Sequence, residues 1–178
     1  MKRVSIATSA QTIGPFWTLI EHPEMADLTR FGVAGERIEL RGRLTDGDGL
    51  PVTDGCVEIW QASPPADASF PGYGRSATDA DGRFRFVTIK PGPLPGPGRG
   101  NVQQAPHIAI NILSRGILTR LVTRAYFEGE PLNETDPILS LVEDTARRRT
   151  LIAQSEGSGV WRLDICLQGE GETVFLDF

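Results

Sequence analysis

The apolar positions of this chain recur with a period of two. Between Ala105 and Glu128 the chain reads APHIAINILSRGILTRLVTRAYFE. Ile108, Ile110 and Ile112 alternate there with His107, Ala109 and Asn111. Successive side chains of a strand point to opposite faces, so the isoleucines face a core and His107 faces away from it. The break at Ser114-Arg115-Gly116 separates this segment from a second one, Leu118 to Phe127, and the pair predicts an antiparallel hairpin.

Similar signals recur along the chain. Arg37 to Leu44 places Ile38, Leu40 and Leu44 on one face, with Gly42 as a weak point in it. Cys56 to Gln61 carries Val57 and Ile59 on one side and Trp60 on the other, and Arg83 to Ile89 alternates Phe84 and Phe86 with arginines. The turns Thr45 to Gly49 and Asp79 to Gly82 are rich in Asp and Gly. Lys90 to Gln104, KPGPLPGPGRGNVQQ, has too many Pro and Gly residues to sit in a ladder and is a loop. Asp144 to Glu156 predicts one helix, capped by Asp144 or Thr145 and stopped by Gly157. In Val160 to Leu167, residues Trp161, Leu163, Ile165 and Leu167 share a face, and Thr173 to Phe178 is a last strand. The first 20 or so residues form a polar arm ending in Ile13-Gly14-Pro15-Phe16-Trp17. Such an arm either caps the edge of its own domain or reaches a neighbour's pocket. The sum is a mainly β, single-domain antiparallel β-sandwich with one short helix and an extended N-terminal arm, divided into residues 1–20 and 21–178.

Composition narrows this only slightly. A chain of 178 residues suits one domain with a sizeable core. Its net charge of -5 argues against nucleic acid or an anionic membrane as partner. No apolar run is long enough to span a membrane, and the N-terminus lacks the apolar stretch of a secretory signal, so a cytoplasmic location is expected. Cys56 and Cys166 are far apart and outside any C-x-x-C pattern, which predicts two reduced thiols.

The chemistry on offer is sparse. His22 and His107 are the only histidines, and there is no G-x-S-x-G elbow to support a nucleophilic triad. Zinc-ligand spacing and a phosphate-binding glycine fingerprint are both missing. The two D-x-D-G stretches resemble calcium loops but lack the remaining ligands, so they are turns. Ferric iron is well served by tyrosinate and imidazole donors, and the chain has two tyrosines, Tyr73 and Tyr126. A strand can present two imidazoles to one ion at i and i+2. Two residues after His107 stands Ala109.

Several longer segments carry a family resemblance: TSAQTIGPFW, GRLTDGDG, VEIWQA, TDADGRFRFVTIKPG, APHIAINILSRG, RAYFEGE and LQGEGETVFLDF. Together they span nearly the whole chain, which resembles the intradiol ring-cleaving dioxygenases and, among them, the α chains of protocatechuate 3,4-dioxygenases. In that family a catalytic β chain binds Fe(III) through two tyrosines and two histidines, the histidines in an H-I-H segment and one tyrosine after K-P-G-P. Here Leu94 follows Lys90-Pro91-Gly92-Pro93, and His107-Ile108-Ala109 replaces H-I-H. Tyr73 precedes Gly74-Arg75, away from the ligand position, and Tyr126 matches a framework tyrosine.

The resemblance therefore implies a non-catalytic α subunit with no catalytic residue and no metal ligand of its own, working beside an iron-binding β subunit in an αβ hetero-oligomer. The complex would cleave 3,4-dihydroxybenzoate with O2 to 3-carboxy-cis,cis-muconate, feeding the β-ketoadipate route of aromatic catabolism. Thr12, Gly14, Pro15 and Arg115 would line the partner's pocket, where a guanidinium suits an aromatic carboxylate. Two other readings stand beside it. One is a stand-alone β-sandwich binding module derived from a dioxygenase. The other is a self-sufficient enzyme with an unusual iron site using Tyr73 and His107.

Overall fold

The structure is a computed structural model that describes residues 22–97 and 102–177. Its strands are β1 (Arg37–Thr45), β2 (Cys56–Trp60), β3 (Tyr73–Ala77), β4 (Arg83–Ile89), β5 (Leu94–Pro95), β6 (Gln103–Gln104), β7 (His107–Leu113), β8 (Leu121–Phe127), β9 (Ile152–Gly157), β10 (Val160–Arg162) and β11 (Ile165–Cys166). A single helical turn and a half, α1, covers Thr145–Arg149. Apart from the small β5–β6 ribbon, the strands follow one path, β11–β1–β10–β9–β8–β7–β2–β3, with β4 paired to β1. That path folds over on itself. The inward residues of β1, β4 and β10 (Ile38, Leu40, Leu44, Phe84, Phe86, Trp161) meet those of β2, β7 and β8 (Val57, Ile59, Ile108, Ile110, Ile112, Phe127) in one core. Each such side chain removed from water contributes about 2 kcal/mol. The sandwich is mainly antiparallel, with parallel pairing of β8 to β9 and of β1 to β10 and β11.

Local chemistry explains the turns. Asp46 Oδ1 accepts from the backbone N–H groups of Asp48 and Leu50, and Asp79 Oδ1 does the same for Asp81 and Arg83. Both D-x-D-G stretches are thus turns closed by their first aspartate. The buried Gln61 joins the layers: its amide donates to the carbonyls of Ser63 and Ile89, and its Oε1 accepts from Thr88 Oγ1. Cys56 is buried and Cys166 half-buried, and the two are not joined in a disulfide.

Four expectations need correction. Lys90 to Gln104, expected as a loop outside any ladder, holds the two-residue ribbon β5–β6, with Leu94 opposite Gln104 and Pro95 opposite Gln103. The predicted helix from Asp144 to Glu156 stops at Arg149, and Ile152–Gly157 is the strand β9. Asp144 does cap the helix, accepting from the N–H groups of Ala146 and Arg147. Beyond it the chain is claimed by the gap between β8 and β10: Leu151 and Ala153 accept from Tyr126 N–H and Glu128 N–H. Gly157 is not a helix stop. It opens the tight β9–β10 turn, in which Ser158 and Gly159 have φ of 51° and 77°, the geometry of a two-residue hairpin loop. The last segment, expected as a strand from Thr173 to Phe178, is no regular strand over its described residues. It makes isolated bonds, such as Leu176 N–H to the carbonyl of Val122. The strand β3 is the reverse case, unforeseen because Tyr-Gly-Arg-Ser-Ala has a weak strand signature.

Gly42 is a necessity of the core and not a defect in it. A Cβ there would lie 1.8 Å from the carbonyl oxygen of Leu163 and 2.7 Å from Phe84 Cζ. The first of these is backbone and cannot step aside, and it belongs to the two residues, Leu163 and Asp164, that separate β10 from β11. Gly42→Ala is expected to destabilise the chain by about 3 kcal/mol, at the upper end of overpacking costs. Urea unfolding followed by tryptophan fluorescence measures this; an unchanged midpoint would show that the crossing relaxes freely.

Candidate functional site

With the isoleucines of β7 turned inward, the outward face of β3–β2–β7–β8 holds the chemistry. Strand register sets its rows. Tyr73, Trp60, Ala109 and Arg124 stand directly opposite one another across four strands, and the next row is Arg75, Glu58, Asn111 and Val122. His107 and Tyr126 form a third pair at the edge of the core, with ring centroids 5.6 Å apart. Trp60 is half exposed at the centre of this face.

Glu58 organises one side of the face. Its Oε1 accepts from Tyr73 OH at 2.6 Å and from Arg75 Nη2 at 2.6 Å and Nε at 3.1 Å. Burial, and then the hydrogen bond to Glu58, push the Tyr73 hydroxyl up to about 12.

Asp136 organises the other side. It is fully buried, and its Oδ1 accepts from the N–H groups of Ile138 (2.9 Å) and Leu139 (2.7 Å) and from Tyr126 OH (3.1 Å). Its Oδ2 accepts from the N–H of Ala105 at 2.8 Å. Arg124 Nη1 donates to Tyr126 Oη at 3.2 Å and to Gln104 Oε1 at 2.8 Å. Burial holds the Tyr126 phenol well above its ordinary range. His107 is nearly buried, and its Nδ1 meets the carbonyl of Ala105 at 2.8 Å. A carbonyl can only accept, so Nδ1 carries a proton. Burial, and then the nearby Arg124 charge, lower its pKa.

These residues do not fit ferric iron. A tyrosinate ligand must lose its proton, yet each phenol donates to a carboxylate and is shifted toward staying protonated. Beside His107 the i+2 position offers only a methyl group, at Ala109. Among the described residues no group of three or more His, Cys, Asp or Glu side chains is placed to hold a metal. Tyr73 and His107 also belong to separate networks, which speaks against the unusual iron site considered from sequence.

Of the expected pocket residues, Thr12, Gly14 and Pro15 lie outside the described residues. Arg115 stands at the tip of the β7–β8 hairpin, largely exposed, with Nε 2.8 Å from Asp54 Oδ2. The length of β7, about 20 Å at the usual strand rise, separates it from His107. Asp136, Glu58 and Arg124 were not foreseen. Asp136-Pro137 does carry a turn signal, but nothing local tells that the carboxylate is buried.

Comparison with known proteins places this geometry. The Dioxygenase_C model, described as dioxygenase, matches residues 21–169. The chain is 41% identical over 157 residues to a protocatechuate 3,4-dioxygenase alpha chain from Pseudomonas putida, covering 81% of this chain and 77% of that one. It is also 36% identical over 188 residues to a protocatechuate 3,4-dioxygenase beta chain from Burkholderia cepacia, covering 92% and 77%. Among solved structures it resembles the dioxygenase domain of a dioxygenase carbohydrate-binding protein fusion from Streptomyces sp. SirexAA-E, with a TM-score of 0.62, 29% identity and coverage of 81% and 87%.

Two outcomes test the site. Asp136→Asn keeps one acceptor oxygen but turns an NH2 group against buried N–H donors, and is expected to cost about 3 kcal/mol; thermal and urea unfolding measure it. His107 has a lowered folded pKa, so the unfolded chain binds its proton more readily. Its contribution to stability is complete above the ordinary value of 6.5 and is lost as pH falls below that through the folded value. His107→Asn, which can still donate to the Ala105 carbonyl, should flatten the fall in Tm between about pH 7 and 5. An unchanged slope would assign that pH dependence elsewhere.

Proposed function

The chain belongs to the intradiol dioxygenase family, and from that premise we propose that it is the non-catalytic α-type subunit of a protocatechuate 3,4-dioxygenase. Overall similarity does not choose between the two roles, since relatives named alpha and beta chain both match at comparable identity. The observation that carries the reading is the state of the outward face: one imidazole, an alanine where a second would stand, and two phenols bonded to carboxylates. Such a face supports assembly and substrate positioning better than metal chemistry. On this reading Fe(III) is held by a β-type partner, and the pair cleaves 3,4-dihydroxybenzoate with O2 to 3-carboxy-cis,cis-muconate.

This chain then contributes walls to the partner's pocket. Thr12, Gly14 and Pro15 supply an arm, and Arg115 supplies a cation. The geometry of Arg115 supports that role, because Asp54 holds the guanidinium through Nε while the side chain stays largely exposed. A guanidinium edge is a fitting donor for an aromatic carboxylate.

The test is metal content and turnover. Purified alone, the chain is expected to be colourless and iron-free; co-expressed with its β-type partner, it should give a coloured complex with about one iron per αβ pair, in the manner of a ferric-phenolate site. Arg115→Ala in the complex should raise KM for the substrate about tenfold with iron content unchanged. Stoichiometric iron in the lone chain would refute the subunit assignment, and an unchanged KM would remove Arg115 from the pocket.

A further inference from the structure

A cleft of about 400 Å3 opens among β3, β4, the start of β1 and the segment from His22 to Asp27. Its polar lining is dominated by three guanidiniums from three strands: Arg37 on β1, Arg75 on β3 and Arg85 on β4. One carboxylate, Asp27, shares the cleft, and Pro23 and Val87 give it an apolar wall. Each guanidinium has a carboxylate partner, Asp27 for Arg37, Glu58 for Arg75 and Glu39 for Arg85, so the cleft offers an anion unused N–H donors more than net positive charge.

The hydrogen bonding of the arginines leaves capacity unused. Arg75 spends Nε and Nη2 on Glu58, and Arg85 spends Nε on Glu39 at 2.8 Å. Neither glutamate lines the cleft. Asp27 is itself engaged, its Oδ1 accepting from Thr29 N–H at 2.8 Å and Thr29 Oγ1 at 2.6 Å, and it meets Arg37 only at 3.5 Å. Among the described residues, Nη1 of Arg75, Nη1 of Arg37 and both terminal nitrogens of Arg85 meet no acceptor.

We propose that this cleft binds a small dianion, a dicarboxylate or a phosphate ester, through the terminal nitrogens of Arg37, Arg75 and Arg85. Guanidinium forks match the oxygen pairs of both groups, and the volume is at the lower end of small-ligand sites. The apolar wall would take the body of the ligand.

The test uses the full-length chain titrated by calorimetry with inorganic phosphate and, separately, with o-phthalate, at ionic strength held constant with sodium chloride. Saturable binding of at least one probe is expected, weakened about tenfold by Arg37→Gln and by Arg85→Gln. Arg162→Gln removes a charge from the neighbouring sheet face, outside the cleft, and should leave the affinity unchanged. Tighter binding of phosphate assigns a phosphate ester, and tighter binding of phthalate a dicarboxylate. Circular dichroism melts check that each variant folds. Should Arg85→Gln fail to fold, Arg85→Lys keeps the charge without the fork and should bind with intermediate affinity. Absence of saturation with both probes, or an equal loss in Arg162→Gln, overturns the assignment.

Discussion

The two-residue period of β7 constrains the rest of the molecule. Ile108, Ile110 and Ile112 are each fully buried, and sliding the strand by one residue would turn all three to solvent and bury Ala109 and Asn111 in their place. The register is therefore fixed by the core. With it fixed, positions 107, 109 and 111 must face outward, whatever residues occupy them. What this face can bind then depends on those residues alone, and the core imposes no choice of its own.

A lone imidazole at such a position has to be accommodated, and the way this is done shapes the neighbouring loops. Ala105 is held at both ends: its carbonyl meets His107, and its N–H is taken by Asp136. Asp136 also accepts from Tyr126, which packs on the His107 ring. A buried carboxylate is costly to desolvate unless its lone pairs are filled, and four donors fill those of Asp136. The carboxylate thereby ties the start of β7, the end of β8 and the segment around Leu139 into one unit. Glu58 does similar work for Tyr73 and Arg75 on the opposite side of the same face. Both phenols of the chain end as donors to carboxylates, the protonation state a ferric site cannot use.

Much of this was legible in the sequence wherever alternation and turn chemistry agree. β1, β2, β4 and the β7–β8 hairpin follow from period-two apolar patterns, and the Asp46 and Asp79 turns from their side-chain acceptors. The errors fall where tertiary pairing outweighs local signal. Leu151 to Gly157 carries helix-compatible residues, but the gap between β8 and β10 needs a strand, and sheet hydrogen bonds win over propensity. Gly42 looked like a flaw because its neighbour across the sheet, the Leu163 carbonyl, is some 120 residues away along the chain and invisible to any local window. The site was legible in its gaps, through Ala109 and Leu94, and not in its replacements. Asp136 and Glu58 are ordinary acidic residues until the fold buries one and surrounds the other with a phenol and a guanidinium.

This division has a consequence for how one scaffold serves two roles. If ligands for a metal sit only on outward positions of β7 and in adjoining loops, they can be gained or lost without touching the isoleucines that hold the sandwich together. A chain with and a chain without the metal can then share a core and differ in a handful of outward side chains, which accords with similar identity to relatives named alpha and beta chain. In this chain that face is not left loose. Carboxylates take up the phenols, and a backbone carbonyl takes up the imidazole. A single histidine at position 109 would therefore not be enough to create a ferric site. The Tyr73 and Tyr126 protons would first have to be released from Glu58 and Asp136, at the expense of the network that now holds β7 and β8 in place.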